Sequence, residues 1–275
     1  MQQPTHSLIQ LLFPRASRAG WVLGALGLLA LVVVFWWSPV SPVAIGQADA
    51  LLGQGDASAA AQAYDRVAAH SPWRRVRQEA LYKGALVYAL ELRDAEGSRE
   101  RLTRLVRSGQ THRTADAWQA IGHLRLDQGD MRAAAQAFEN AWAADSASPR
   151  AVDRLELCAR ARAEGGQILA AERIWKRVER DYVERSATAL LARAELRLAE
   201  GDADGALALY QRAEKAAVDL NVASVARLGA ATCLERMGDL DQALAAIDSL
   251  DLPDELLEAR RQGILARHAK SAGAL

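Results

Sequence analysis

Residues 118–141 read WQAIGHLRLDQGDMRAAAQAFENA and give the clearest signal of the fold. Helix-favouring residues fill both halves of this stretch, and a Gly-Asp pair at residues 129 and 130 separates them. Glycine takes the left-handed conformation that ends a helix at the least cost, and an aspartate after it can accept hydrogen bonds from the next helix. The stretch therefore predicts two helices joined by a turn at Gly129.

The same turn recurs along the chain. Gly-Asp or Gly-Gly pairs begin at residues 55, 129, 165, 201 and 238, and their separations are 74, 36, 36 and 37 residues. Because 74 is twice 37, one degenerate copy is expected between the first two pairs. Periods of this length are typical of helical repeat proteins. We predict six helical hairpins, with turns near residues 55, 94, 129, 165, 201 and 238.

Three columns of residues keep their type relative to the turn glycine. The small residues seven positions before it are Ala48, Gly122, Cys158, Ala194 and Ala231. The alanines five positions after it are Ala60, Ala134, Ala170, Ala206 and Ala243. The large apolar residues nine positions after it are Tyr64, Phe138, Ile174, Tyr210 and Ile247. The last two columns share one face of the second helix, which neighbouring hairpins must cover because one hairpin cannot.

This pattern resembles the tetratricopeptide repeat over about residues 41–255. The residues that match the consensus of that family best are Trp118, Ile121, Gly122, Ala134, Phe138 and Ala141. The copy around Asp94 departs most, because its turn, ELRDAEGS, contains no Gly-Asp pair. Its second helix still offers the apolar residues Leu102, Leu105 and Val106. The resemblance implies an α-solenoid that binds other proteins.

The fold class predicted for the chain is all-α: a single N-terminal transmembrane helix, an α-solenoid of about six such hairpins and a C-terminal capping helix. The charged sequence PDELLEARRQGILARH suits the polar outer surface that a terminal repeat needs. The predicted segments are a cytoplasmic tail (1–18), a transmembrane helix (19–37), a linker (38–43), a repeat domain (44–252), a capping helix (253–268) and a flexible tail (269–275).

Residues 19–37, AGWVLGALGLLALVVVFWW, form an unbroken apolar run. At about 1.5 Å per residue, a helix of this length spans a hydrocarbon core of about 30 Å. Arg15 and Arg18 precede the run, whereas no lysine or arginine follows it before Arg66. The positive-inside tendency therefore places the N-terminus in the cytoplasm and the repeat domain in the periplasm, at a bacterial inner membrane.

Two alternatives to an uncleaved anchor are a cleaved signal peptide and a buried core helix. The apolar run is longer than the core of about 7–15 residues that signal peptides have. Trp36 and Trp37 end it, and the small-x-small triplet Ala48-Asp49-Ala50 lies far downstream. These features favour an uncleaved anchor.

Sequence motifs for catalysis, cofactors or metals are missing. The chain contains no HExxH, CxxC or GxSxG motif and no phosphate-binding glycine loop. Cys158 and Cys233 are expected to be buried free thiols. The charges balance at 34 basic and 34 acidic residues, which argues against a nucleic-acid partner. We therefore expect no enzyme activity, no catalytic, cofactor-binding or metal site, and no cofactor.

A candidate partner groove follows from the resemblance, because the first helix of each hairpin lines the concave surface in that family. Gln119 and His123 share one face of such a helix and could contact a ligand, or form a solvated surface. Ten residues before three turn glycines stand Leu155, Leu191 and Leu228. These leucines could accept an amphipathic helix or an extended apolar segment, or simply pack between neighbouring first helices.

Two arginine-rich segments, residues 73–77 and 99–107, are expected to face outward. They could touch lipid headgroups or an acidic partner near the membrane, or remain solvated.

The predicted function is a membrane-anchored scaffold that binds another protein, itself in the membrane or the periplasm, and that contacts the lipid bilayer through its N-terminal helix. The alternative is a structural subunit of a larger cell-envelope machine for secretion, pilus formation or envelope assembly. Such a subunit would use its convex surface or its transmembrane helix for contacts.

Overall fold

The computed structural model describes residues 40–250 and 253–272, and these residues contain thirteen α-helices, one short 3-10 turn and no β-strand. The chain divides into two compact units, Met1–Arg113 and Thr114–Leu275. The all-α prediction is therefore confirmed for the described part of the chain.

The first unit contains two helical hairpins. Its described helices are α1 (Val40–Gly53), α2 (Ala57–His70), α3 (Arg74–Leu90) and α4 (Ala95–Arg107). Within this unit α1 packs against α2, α2 against α3 and α3 against α4. Its core includes the predicted apolar residues Tyr64, Leu102 and Leu105, all of which are buried.

The second unit contains four further hairpins and a terminal helix. Its described helices are α5 (Thr114–Asp127), α6 (Met131–Ala144), α7 (Ala151–Glu164), α8 (Ile168–Asp181), α9 (Ser186–Ala199), α10 (Ala203–Ala216), α11 (Leu220–Met237), α12 (Leu240–Asp248) and α13 (Asp254–Ala272). A 3-10 turn, Val183–Arg185, precedes α9. Helices that follow one another pack together, as stacking of repeats requires.

The six predicted turns are all present. The turn glycines with positive φ are Gly55, Gly129, Gly166, Gly201 and Gly238, with φ between 74° and 86°. In the degenerate turn Arg93 takes this conformation, with φ at 53°. Five of the second helices begin with an aspartate whose side chain accepts from the backbone amide three residues later. These caps are Asp56, Asp94, Asp130, Asp202 and Asp239.

The fourth turn corrects the predicted register by one residue. The left-handed residue there is Gly166, not Gly165. Ala171 and Trp175 consequently take the buried column positions, at 0% and 2% exposure. The predicted occupants, Ala170 and Ile174, are only half-buried.

Close packing explains the column of small residues. A Cβ atom added to Gly122 of α5 would lie 2.5 Å from Cε1 of Phe138 on α6, and Phe138 is fully buried. Only glycine lets the two helices approach this closely. Cys158 and Cys233 are buried free thiols, as predicted, and burial raises the pKa of each.

Helical residues occur in two segments at the ends of the described chain that were predicted as a linker and as a tail. The described part of α1 reaches back to Val40, inside the predicted linker, and that of α13 extends to Ala272, past the predicted end of the capping helix at residue 268. Ile264 of α13 is buried with Ile247 and Leu250. A terminal helix therefore covers the last apolar cluster.

No helix in the described ranges is both long and apolar enough to cross a membrane. The predicted cytoplasmic tail (1–18) and transmembrane helix (19–37) lie outside the described residues. Both remain predictions from the sequence.

Candidate functional site

The five residues of the candidate partner groove all lie on first helices of hairpins in the second unit. Gln119 and His123 lie on α5, Leu155 on α7, Leu191 on α9 and Leu228 on α11. These residues differ in their contacts and in how far their side chains are exposed, and therefore in how easily a partner could reach them.

Gln119 is half-buried and is engaged by a buried arginine. Its Oε1 accepts a hydrogen bond from Nε of Arg154 on α7, at 3.3 Å. The same guanidinium donates to Oδ1 of Asp116 at 3.1 Å, and the Arg154 side chain is only 2% exposed. Because this arginine is paired inside the protein, it links α7 to α5 and is not available to a ligand.

His123 is exposed on α5. Its ring lies edge-on to the ring of Phe138, with the centroids 5.2 Å apart and an angle of 73° between the ring planes. The aromatic contact holds one edge of the imidazole while the residue stays open to solvent. Of the five groove residues, His123 is the one that the described structure leaves most accessible.

Leu155 belongs to the core of the second unit. It is 3% exposed and packs in one cluster with Val152, Trp175 and Val178. The register shift at Gly166 explains this burial. Counted from the left-handed glycine, the groove position ten residues earlier belongs to Glu156, and Leu155 stands one position further from the turn. Leu155 therefore packs against α8, the second helix of its own hairpin.

Glu156 therefore takes the groove position on α7. The residue is only 6% exposed, and no hydrogen bond reaches its Oε1 from the described part of the chain. Nη1 of Arg185 lies 3.6 Å from Oε1, and Nη2 of Arg160 lies 3.4 Å from Oε2. Burial raises the pKa of Glu156, and the two guanidinium groups offset part of this rise. A Gly-Gly pair leaves the register open by one residue, which is why this carboxylate was missed.

Leu191 and Leu228 are half-buried and lie on helices that contact each other, α9 and α11. Leu191 packs against a cluster that contains Leu190 and Tyr210. Leu228 packs against Ile247 and also lines a pocket of about 210 Å³ between α11 and α13. The apolar part of this surface thus consists of Leu191 and Leu228, and the pocket lies beside Leu228.

The rim of this pocket is charged. Nε of Arg267 on α13 donates to Oε1 of Glu235 on α11 at 2.7 Å. Thr232 and Arg260 complete the polar lining. The first-helix surface of the second unit therefore changes from polar on α5 to apolar, with a charged rim, on α11.

The described residues contain no group of three or more His, Cys, Asp or Glu side chains that could hold a metal ion. The groups on this surface are suited to hydrogen bonding, ion pairing and apolar contact with a partner.

No protein-family model matches the sequence. No curated protein matches it either.

Solved structures resemble the chain in fold. PilF of Pseudomonas aeruginosa is 17% identical, with a TM-score of 0.50 over 84% of this chain and 99% of that one. BtubC of P. vanneervenii is 18% identical, with a TM-score of 0.53 over 76% and 91%. The C-terminal part of a tetratricopeptide-repeat-containing protein of Cytophaga hutchinsonii is 12% identical, with a TM-score of 0.54 over 75% and 77%. At these identities the likeness concerns the fold alone, and that fold is the tetratricopeptide-type helical repeat.

Proposed function

We propose that this chain is a membrane-anchored scaffold without catalytic activity, which binds another protein at the periplasmic face of a bacterial inner membrane. The observation that carries the binding role is the first-helix surface of the second unit. There His123 is exposed, and Leu191 and Leu228 are only half-buried.

The side chains on this surface indicate what kind of partner segment it would bind. Gln119 and His123 offer hydrogen-bonding groups, whereas Leu228 and the pocket beside it offer apolar contact. An amphipathic helix or an extended segment with one polar and one apolar end would match this change in character. The anchoring role rests on the apolar run 19–37 and on the arginines before it.

Site-specific crosslinking in the native host tests the binding role. A photoreactive amino acid placed at His123 or Thr232, on first helices, should crosslink to the same partner protein. The matched positions Arg132 and Gln136 are exposed on the second helix α6 and should give no such product. Mass spectrometry of the crosslinked species identifies the partner.

The same experiment tests the alternative, a structural subunit of a larger envelope machine. Crosslinks confined to α6, or equally strong at all four positions, would contradict binding through the first-helix surface. They would favour contacts through another face of the chain.

A further inference from the structure

The first unit contains a pocket that is lined by arginines. It has a volume of about 220 Å³. Arg74 and Arg77 reach it from the start of α3, and Arg104 reaches it from the end of α4. The two arginine-rich segments of the sequence are thus brought together around one cavity.

The positive charge of this pocket is not neutralised. Arg74 donates to the backbone carbonyl of Ser108, and Arg77 donates to the carbonyls of Ser71 and Pro72 at 2.8 and 3.0 Å. These acceptors carry no net charge. Within the described residues, no carboxylate lines the pocket and Arg104 forms no ion pair.

Three other arginines of the same unit, Arg99, Arg101 and Arg113, form ion pairs with carboxylates. Arg101 contacts Asp65 with two of its nitrogens, and Arg113 contacts Glu79 at 2.8 Å. The three pocket arginines differ from these paired ones because their charges remain available to a ligand.

A buried polar wall completes the pocket. Gln78 is only 2% exposed, and its Nε2 donates to Oγ of Ser108 at 2.7 Å. That hydroxyl in turn donates to the backbone carbonyl of Leu105 at 2.6 Å. Converging guanidinium groups beside fixed polar groups suit a tetrahedral oxyanion, because arginine can offer a phosphate two parallel hydrogen bonds.

Topology places this pocket at the end of the first unit where the chain enters it. The helices of each hairpin are antiparallel, and only residues 71–73 connect α2 to α3. The starts of α1 and α3 and the ends of α2 and α4 therefore share one end of the unit. Val40, the first described residue of α1, lies at that end, and in the sequence it follows the apolar run 19–37 by three residues. Trp73, which is 47% exposed, lies there too, and tryptophan favours the headgroup region of a bilayer.

We propose that the pocket lined by Arg74, Arg77 and Arg104 binds the phosphate group of an anionic phospholipid in the leaflet from which the anchor emerges. This inference rests on the proposed membrane anchor. A bound lipid would attach the first unit to the membrane surface in addition to the proposed transmembrane anchor.

Native mass spectrometry of the full chain in a neutral detergent tests the pocket. Titration with dioleoyl phosphatidylglycerol gives the lipid retained and its apparent Kd. We expect Arg74→Gln/Arg104→Gln to weaken retention about tenfold or more, since two charge-assisted contacts are lost. Arg132→Gln/Arg173→Gln removes two exposed arginines of the second unit and should bind as the wild type does. This control also accounts for lipid bound around the anchor.

A single variant keeps the test valid if the double variant does not fold. The side chain of Arg104 donates no hydrogen bond within the described residues, so Arg104→Gln should fold normally and show a smaller loss in the same direction. Dioleoyl phosphatidylcholine, which has no net charge, should bind more weakly and without difference between the variants.

Two outcomes would contradict the proposal that this pocket binds an anionic phospholipid. One is equal retention of phosphatidylglycerol by the double variant and its control. The other is binding of inorganic phosphate by the wild type but not by the double variant, without retention of phosphatidylglycerol, which would assign the site to free phosphate. Recovery of the chain from the soluble fraction of the host would instead overturn the anchor, so the two failures can be told apart.

Discussion

At the scale of single residues, the carboxylate of Glu156 is buried, and its ion pairs with Arg160 and Arg185 offset only part of the cost of removing it from water. Burial raises its pKa above the ordinary value of 4.5, so the folded state binds the proton more tightly than the unfolded chain. The contribution of this carboxyl to stability therefore falls as pH rises above about 4.5 and through the folded pKa. We expect Glu156→Gln to raise the free energy of unfolding at neutral pH by about 1 kcal/mol. Near pH 4 this gain should vanish, because the wild-type carboxyl is then protonated.

Urea denaturation followed by circular dichroism at both pH values measures the difference between wild type and variant. Asp153→Asn is a matched control, since Asp153 lies on the same helix, is 49% exposed and pairs with Arg185. It should change stability by less than about 0.5 kcal/mol. A loss of stability in Glu156→Gln at neutral pH would mean that the ion pairs with Arg160 and Arg185 outweigh the cost of burial.

The residues of the candidate groove show what a sequence can and cannot predict at this scale. Ala134 and Phe138 were predicted to be buried, and they are, because their positions are fixed by a turn only a few residues away. The pairing of Arg154 with Asp116 and Gln119 was not predicted. It depends on how two hairpins pack, and an isolated arginine in a helix gives no local signal of burial.

At the scale of helices, α8 differs from the other second helices in its N-cap residue. Gln167 occupies the cap position with φ −92° and ψ 55°, close to the backbone of the capping aspartates, but its side chain makes no cap hydrogen bond. We expect Gln167→Asp to raise the free energy of unfolding by about 1 kcal/mol, because the carboxylate can accept from a free backbone amide of α8.

Two comparisons isolate this effect in thermal denaturation. Gln167→Ala loses the same hydrogen bond between Gln167 and Arg162 and gains no cap, so it should not be stabilised. Asp130→Ala removes an existing cap and should lose about 1 kcal/mol. Equal melting temperatures for the Asp and Ala variants at position 167 would show that α8 gains nothing from a cap.

The helices themselves could be predicted because each hairpin repeats its own local signals. Five turns have a glycine with a positive φ, and five second helices have an aspartate cap. Even the degenerate turn was located correctly, from the spacing alone. The one error of register arose at Gly165-Gly166, where the sequence allows either glycine to end α7. With Gly166 in the left-handed conformation, Trp175 is buried, and this tertiary packing has no local signal in the turn.

At the scale of the whole molecule, the proposed function requires an anchor outside the repeat units. The full chain should stay in the membrane fraction after carbonate washing, whereas Leu28→Arg/Leu31→Arg should not. Each arginine near the centre of a span costs about 2.5–3.5 kcal/mol of insertion free energy. Leu256→Arg/Leu265→Arg is the control, since it adds the same charges at exposed positions of α13. Protease added to spheroplasts should digest the repeat units of the wild type. A mature N-terminus downstream of residue 37 would instead establish a cleaved signal peptide.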